Sequence, residues 1–252
     1  MTTWVDSHCH LHMADVPAAR LVERARAAGV EWMVCPGTDA AGSEAALALA
    51  AEYPGTVLAA SGLHPHDASR WAQEEERIVA AARRSVAIGE CGLDFYRNLS
   101  PRDDQLTAFR EQVRLAEDLG LPLIVHVRDA FREMYDELET AGAGPRTVLH
   151  CWTGGPRWTK RFDALGVTFS FAGPITYPKG DTVRLAAAVA PPERTMVETD
   201  TPYLTPPPDR HLPNEPANVV AVGTALAEVW GTTPGEVART TTGVAAGVFG
   251  RG

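Results

Sequence analysis

The chain has 252 residues, 45% of them hydrophobic, enough to bury a sizeable core and matching the length of one (β/α)8 barrel. Its formal net charge of -9, with no lysine- or arginine-rich run, excludes the broad basic surface that long duplex DNA needs for non-specific affinity, so any nucleic-acid substrate has to be held locally. The apolar runs are short and broken by charge, and Met1 to His12 carries neither a basic start nor a long apolar stretch; the expectation is a cytosolic protein with no membrane span and no signal peptide.

In chain order, apolar runs bounded by turn residues predict strands at Thr3–Ser7, Trp32–Pro36, Val57–Gly62, Val86–Gly89, Leu123–Val127, Thr147–His150, Thr168–Phe171 and Thr195–Glu198. Between them, amphipathic alanine-rich segments predict helices at Pro17–Ala28, Ser43–Glu52, Trp71–Arg83, Asp103–Leu119 and Ala130–Ala141, with Gly29 and Gly120 as C-terminal stops. Two more helical patterns, Ala217–Trp230 and Pro234–Phe249, follow the eighth strand, after a Pro-rich loop Thr201–Pro216. A strand spacing of roughly 20 to 35 residues is that of repeated βα units rather than hairpins, which points to an α/β fold: a parallel eight-stranded (β/α)8 TIM barrel in one domain over residues 1–252. A doubly wound open sheet is the alternative.

Cys9, Cys35, Cys91 and Cys151 form no CxxC pair, which argues against a disulfide framework or a zinc knuckle. Cys9, Cys91 and Cys151 each adjoin a candidate ligand, but neighbours on a strand face opposite ways, so the three thiols are expected to face away from any site.

The titratable residues fall at one end of the strands. Asp6, His8 and His10 end the first, His64 and His66 follow the third, Glu90 follows the fourth, His126 lies in the end of the fifth, His150 ends the sixth and Asp200 follows the eighth. In a barrel those carboxyl ends converge on the face that carries the active site. Imidazole and carboxylate without thiolate suit zinc, manganese or magnesium, and a carboxylate such as Glu90 can bridge two ions about 3.5 to 4 Å apart. His8 and His10, two apart on an extended strand, share a face and reach one ion. Gly89 and Gly92 around Glu90 read either as turn residues or as points of close backbone approach. Asp200 reads as a ligand that also takes a proton from an activated water, against the plainer reading of a cap on the following turn.

The motifs Asp6-Ser7-His8-Cys9-His10, Gly62-Leu63-His64-Pro65-His66, Gly89-Glu90-Cys91-Gly92-Leu93-Asp94, His126-Val127-Arg128, His150-Cys151-Trp152-Thr153-Gly154, Glu198-Thr199-Asp200-Thr201-Pro202-Tyr203-Leu204 and Asn214-Glu215-Pro216 closely resemble those of the TatD family of metal-dependent hydrolases, over nearly the whole chain. The resemblance implies that His8, His10 and Asp200 hold one divalent ion, that His126 and His150 hold a second, and that Glu90 bridges both. It also implies a magnesium- or manganese-supported deoxyribonuclease, of the kind that acts as a 3′ to 5′ exonuclease on single-stranded DNA. Where similar chains place basic residues before Asn214, this one has His211-Leu212-Pro213 and keeps Arg210. His66 and Arg128 are then the candidate phosphate contacts.

Two other readings stand beside the nuclease: an amide, ester or lactone hydrolase of the amidohydrolase type on the same metals, and a non-catalytic metal-binding scaffold. Trp152, Phe171, Tyr177 and Tyr203 near the barrel mouth read as base-stacking surfaces or as packing. A monomer is the expected state.

Overall fold

The computed structural model describes residues 2–250; Met1, Arg251 and Gly252, at the ends of the expected single-domain span, lie outside the described residues. Eight parallel strands pair in sequence order: β1 (Trp4–Asp6), β2 (Val30–Pro36), β3 (Val57–Ser61), β4 (Ala87–Asp94), β5 (Leu123–Arg128), β6 (Thr147–Leu149), β7 (Thr168–Phe171) and β8 (Thr195–Val197). Uninterrupted sequence order is that of a barrel; a doubly wound sheet reverses its order at a switch point. The seam between β8 and β1 closes through Ser7 N donating to Val197 O at 3.1 Å, Asp200 N to His8 O at 2.9 Å and His10 N to Thr201 O at 2.7 Å.

The anticipated helices are α1 (Ala18–Ala27), α2 (Ala40–Glu52), α3 (Trp71–Ala82), α4 (Arg102–Leu119), α5 (Phe131–Ala141), α8 (Val219–Trp230) and α9 (Pro234–Val248). Two more, α6 (Gly155–Asp163) and α7 (Asp181–Ala187), complete the outer ring. Gly120 ends α4 at φ 66° and Gly29 follows α1 at φ 90°, both in the left-handed region where glycine carries no Cβ penalty. No helix among the described residues is long and apolar enough to cross a membrane.

The alternation along the strands feeds two apolar layers. Met33, Phe109, Leu138, Phe162 and Leu226 fill the space between sheet and helices. Val5, Trp32, Val34, Ile124, Val148 and Met196 fill the barrel interior, where Ala245 and Phe249 of the C-terminal segment join them. Phe249 sets its ring edge-on to Trp32, with centroids 6.3 Å apart. This segment packs under the amino-terminal end of the barrel, and the cavity that gathers the titratable residues lies at the carboxyl ends.

Three local expectations are corrected. β4 does not stop at Gly89 but runs to Asp94, so Glu90 lies within the strand. Gly89 and Gly92 are not turn residues: at φ 146° and 137°, a Cβ on Gly89 would meet Ile124 O at 2.5 Å and one on Gly92 would meet His126 O at 2.0 Å. Their missing side chains let β4 press against β5 where its register shifts between Ile88 and Cys91. Secondly, β1 ends at Asp6, so His8 and His10 stand beyond the strand. Thirdly, Cys151 is not on a strand; it follows β6 with φ 45°, and strand alternation does not govern where its thiol points.

Candidate metal centre

His8 and His10 follow β1, His64 follows β3, Glu90 lies in β4, His126 in β5, and His150 and Asp200 follow β6 and β8. All seven line or border one cavity at the carboxyl ends of the strands, together with His66, Arg97, Arg128 and Tyr203. Although off the strand, His8 and His10 bring their Nε2 atoms within 3.0 Å of each other. The loop is held from both sides: His10 Nδ1 meets Pro36 O at 3.0 Å, and Asp6 accepts hydrogen bonds from His8 N at 3.3 Å and Thr199 N at 2.9 Å.

Glu90 is the centre of the arrangement, and its two oxygens face different imidazoles. Oε2 lies 3.4 Å from His8 Nε2 and 3.2 Å from His10 Nε2. Oε1 lies 2.9 Å from His150 Nε2, 3.1 Å from His126 Nδ1 and 3.3 Å from His64 Nε2. Asp200 Oδ1 stands 3.7 Å from both His8 and His10 Nε2, completing a group that could hold one ion; His64, Glu90 and His126 form another.

The electrostatics follow from burying so many ionisable groups together. Burial alone would raise the Glu90 carboxyl, but the imidazoles of His150 and His64 outweigh it and hold the group well below the usual carboxylate range. Burial pushes His8 down to about 4, leaving a neutral imidazole with a lone pair to offer. Burial pushes Asp200 up to about 7 against the pull of His150 and His10. The cysteine thiols are all raised by burial, so the donors available to a cation at neutral pH are nitrogen and oxygen. That set fits divalent magnesium, manganese or zinc.

Carboxylates outside this group flank the rings. Glu198 Oε1 accepts from His150 Nδ1 at 3.2 Å, and Asp94 Oδ2 lies 3.4 Å from His126 Nε2. His66 does not approach Glu90; its Nε2 pairs with Asp94 Oδ2 at 2.8 Å, while its side chain remains 28% exposed in the cavity. Arg128 is exposed at the cavity wall, with its guanidinium 4.0 Å over the Tyr96 ring.

Sequence reasoning placed His64 at the right strand end but left it out of the ligand group. The signal was present, because His64-Pro65-His66 repeats the two-residue spacing of His8-Cys9-His10. In the sequence, Glu198 and Asp94 stand out only as parts of motifs. Among the thiols, Cys9 and Cys91 face away as expected, with Sγ directed at Val34 O and Ile124 O. Cys151, in contrast, lines the cavity. Of the aromatic residues, Trp152 and Phe171 are buried packing, whereas Tyr203 is half exposed on the cavity wall.

The model of the TatD-related DNases matches residues 5–250. The chain belongs to this family. It is 35% identical over 243 residues to an uncharacterized metal-dependent hydrolase, YabD, of Bacillus subtilis, covering 94% of this chain and 95% of that protein. It is 39% identical over 209 residues to the 3′-5′ ssDNA/RNA exonuclease TatD of a Rahnella strain, covering 81% and 78% of the two. Among solved structures, the TatD homologue YjjV of Escherichia coli superposes with a TM-score of 0.88 at 26% identity over 98% of both chains. As a member of the TatD-related family, the chain is a metal-dependent hydrolase, and its barrel is the family's.

Proposed function

We propose that this TatD-family hydrolase cleaves phosphodiester bonds as a 3′ to 5′ exonuclease on single-stranded DNA. The observation that carries the reading is the division of Glu90 between two groups of imidazoles, Oε2 toward His8 and His10 and Oε1 toward His126 and His150. That division supports two divalent ions: one on His8, His10 and Asp200, a second on His126 and His150 with His64 beside them, and Glu90 shared by the two groups. Bound there, such ions would acidify a water and neutralise charge developing on the phosphoryl oxygens.

The remaining chemistry belongs to the chain. Asp200, 14% exposed beside His8 and His10, accepts the proton of the attacking water. Glu198 keeps the His150 ring in its orientation, and Asp94 places a carboxylate beside the His126 ring. His66 and Arg128, both on the cavity wall, contact the phosphate; Arg128 contributes a planar guanidinium suited to two oxygens at once. No side chain is required as a covalent nucleophile.

The test is release of mononucleotides from a short single-stranded DNA by chelated protein, then by protein reconstituted with magnesium or manganese, with Glu90→Ala as control. Metal-dependent release that disappears in the control supports the nuclease, and laddering from one labelled end reads the polarity. No release with either ion, despite bound metal, moves the reading to a carbonyl-directed hydrolase on the same centre.

A further inference from the structure

The loop after β8 carries three features at increasing distance along the chain from the centre. Asp200 stands at the centre and Tyr203, 50% exposed, on the cavity wall. Arg210 is exposed and lies outside the residues that line the cavity. Its guanidinium rests 3.9 Å over the ring of Tyr177, which follows β7. Leu212, 51% exposed, is two residues further on.

The loop holds these groups firmly. Buried Asn214 donates to Thr199 O at 2.9 Å and Tyr203 O at 2.6 Å, and Thr205 Oγ1 donates to Leu212 O at 2.7 Å. Pro206, Pro207, Pro208 and Pro213 further restrict the backbone. Arg77, Arg110 and Arg184 each pair with a carboxylate, whereas Arg210 has no carboxylate partner among the described residues. Tyr177 both stacks on the guanidinium of Arg210 and meets it through its hydroxyl, which fixes the plane of the group, and with five N–H donors and no carboxylate partner the guanidinium keeps donors that match phosphate oxygens.

We infer that Tyr177 and Arg210 form a strand-holding subsite outside the catalytic cavity. Its ligand is the phosphodiester backbone of a single strand, one or more nucleotides away from the bond being cleaved, and it gives the enzyme a preference for longer strands. Tyr203 and Leu212 offer the intervening bases half-exposed apolar surfaces. This inference rests on the nuclease reading. It also answers the electrostatic problem of a chain of net charge -9, because a few positioned cations replace a broad basic surface.

The test compares KM for a dinucleotide with KM for a strand of about twelve nucleotides, within the span of single-strand sites, in the manganese-loaded wild type, Arg210→Ala, Arg210→Lys and Tyr177→Leu. Arg210→Ala is expected to raise KM for the longer strand by about five- to tenfold, the net worth of one solvent-exposed hydrogen bond. The ratio of the two KM values falls accordingly, while kcat on the longer strand changes little. The salt dependence of binding the longer strand should flatten by about 0.7 in log–log slope, the contribution of one phosphate contact on a single strand. Arg210→Lys should keep that slope and lose part of the length preference, as should Tyr177→Leu. A wild type that cleaves both substrates, with length preference and salt slope unaltered in Arg210→Ala, overturns the subsite alone. A wild type that cleaves neither overturns the nuclease reading and the subsite with it.

Discussion

His150 Nδ1 donates to Glu198 Oε1 at 3.2 Å, and the same oxygen accepts the Cys151 backbone N–H at 2.8 Å. One buried carboxylate therefore fixes both the ring and the main chain that carries it, and directs His150 Nε2 toward Glu90. Outer partners of this kind set the tautomer and basicity of a ligating imidazole. Glu198→Gln is expected to lower metal affinity or turnover by about 10- to 100-fold with the fold intact. Metal content by elemental analysis beside circular dichroism checks it; a variant with wild-type affinity and turnover would show that Glu198 only fills space.

Ions that bind the native centre and not the unfolded chain must stabilise the protein. At a hundredfold excess over Kd, manganese is expected to add about 2.7 kcal/mol, and chelation to remove it. Calorimetry with and without the ion reads this as a shift in Tm. Asp200→Asn should retain much of the shift and lose turnover, whereas Glu90→Ala should lose most of it. An equal shift in wild type and Glu90→Ala would move the binding site away from Glu90.

Glu74 of α3 supports another helix. It is 4% exposed, accepts Ala40 N at 2.7 Å and pairs with Arg70, so the first turn of α2 depends on it together with the Asp39 cap on Gly42 N. Glu74→Ala leaves a buried N–H without its acceptor and should cost about 1–3 kcal/mol. Glu74→Gln keeps an acceptor oxygen and should cost less. Urea denaturation of the two variants separates these outcomes; equal stability in all three proteins would mean that water replaces the carboxylate.

Much of this protein was legible in its residue pattern, for a local reason. Runs such as Leu123–Val127 and Thr168–Phe171 announce buried strands because both faces of a barrel strand are covered, and the amphipathic repeat of Asp103–Leu119 announces a surface helix. The short helices Gly155–Asp163 and Asp181–Ala187 did not stand out, since nine and seven residues give little periodicity to read. The sequence leaves Gly89 open between a turn residue and a point of close backbone approach; only the position of β5 decides for the second and carries the strand on through Glu90.

By itself, then, the sequence determined the alternation of strands and helices and the imidazole and carboxylate groups at the strand ends, because hydrophobic period and residue type are properties of a few consecutive positions. Which imidazole faces which oxygen of Glu90, the inclusion of His64, the turn of Cys151 into the cavity and the stacking of Arg210 on Tyr177 were decided by tertiary structure. Those relations span residues far apart in the chain. Thr199 Oγ1 donates to Asp6 Oδ2 at 2.6 Å across 193 positions, and only closure of the barrel seam brings such partners together with the accuracy that coordination chemistry demands.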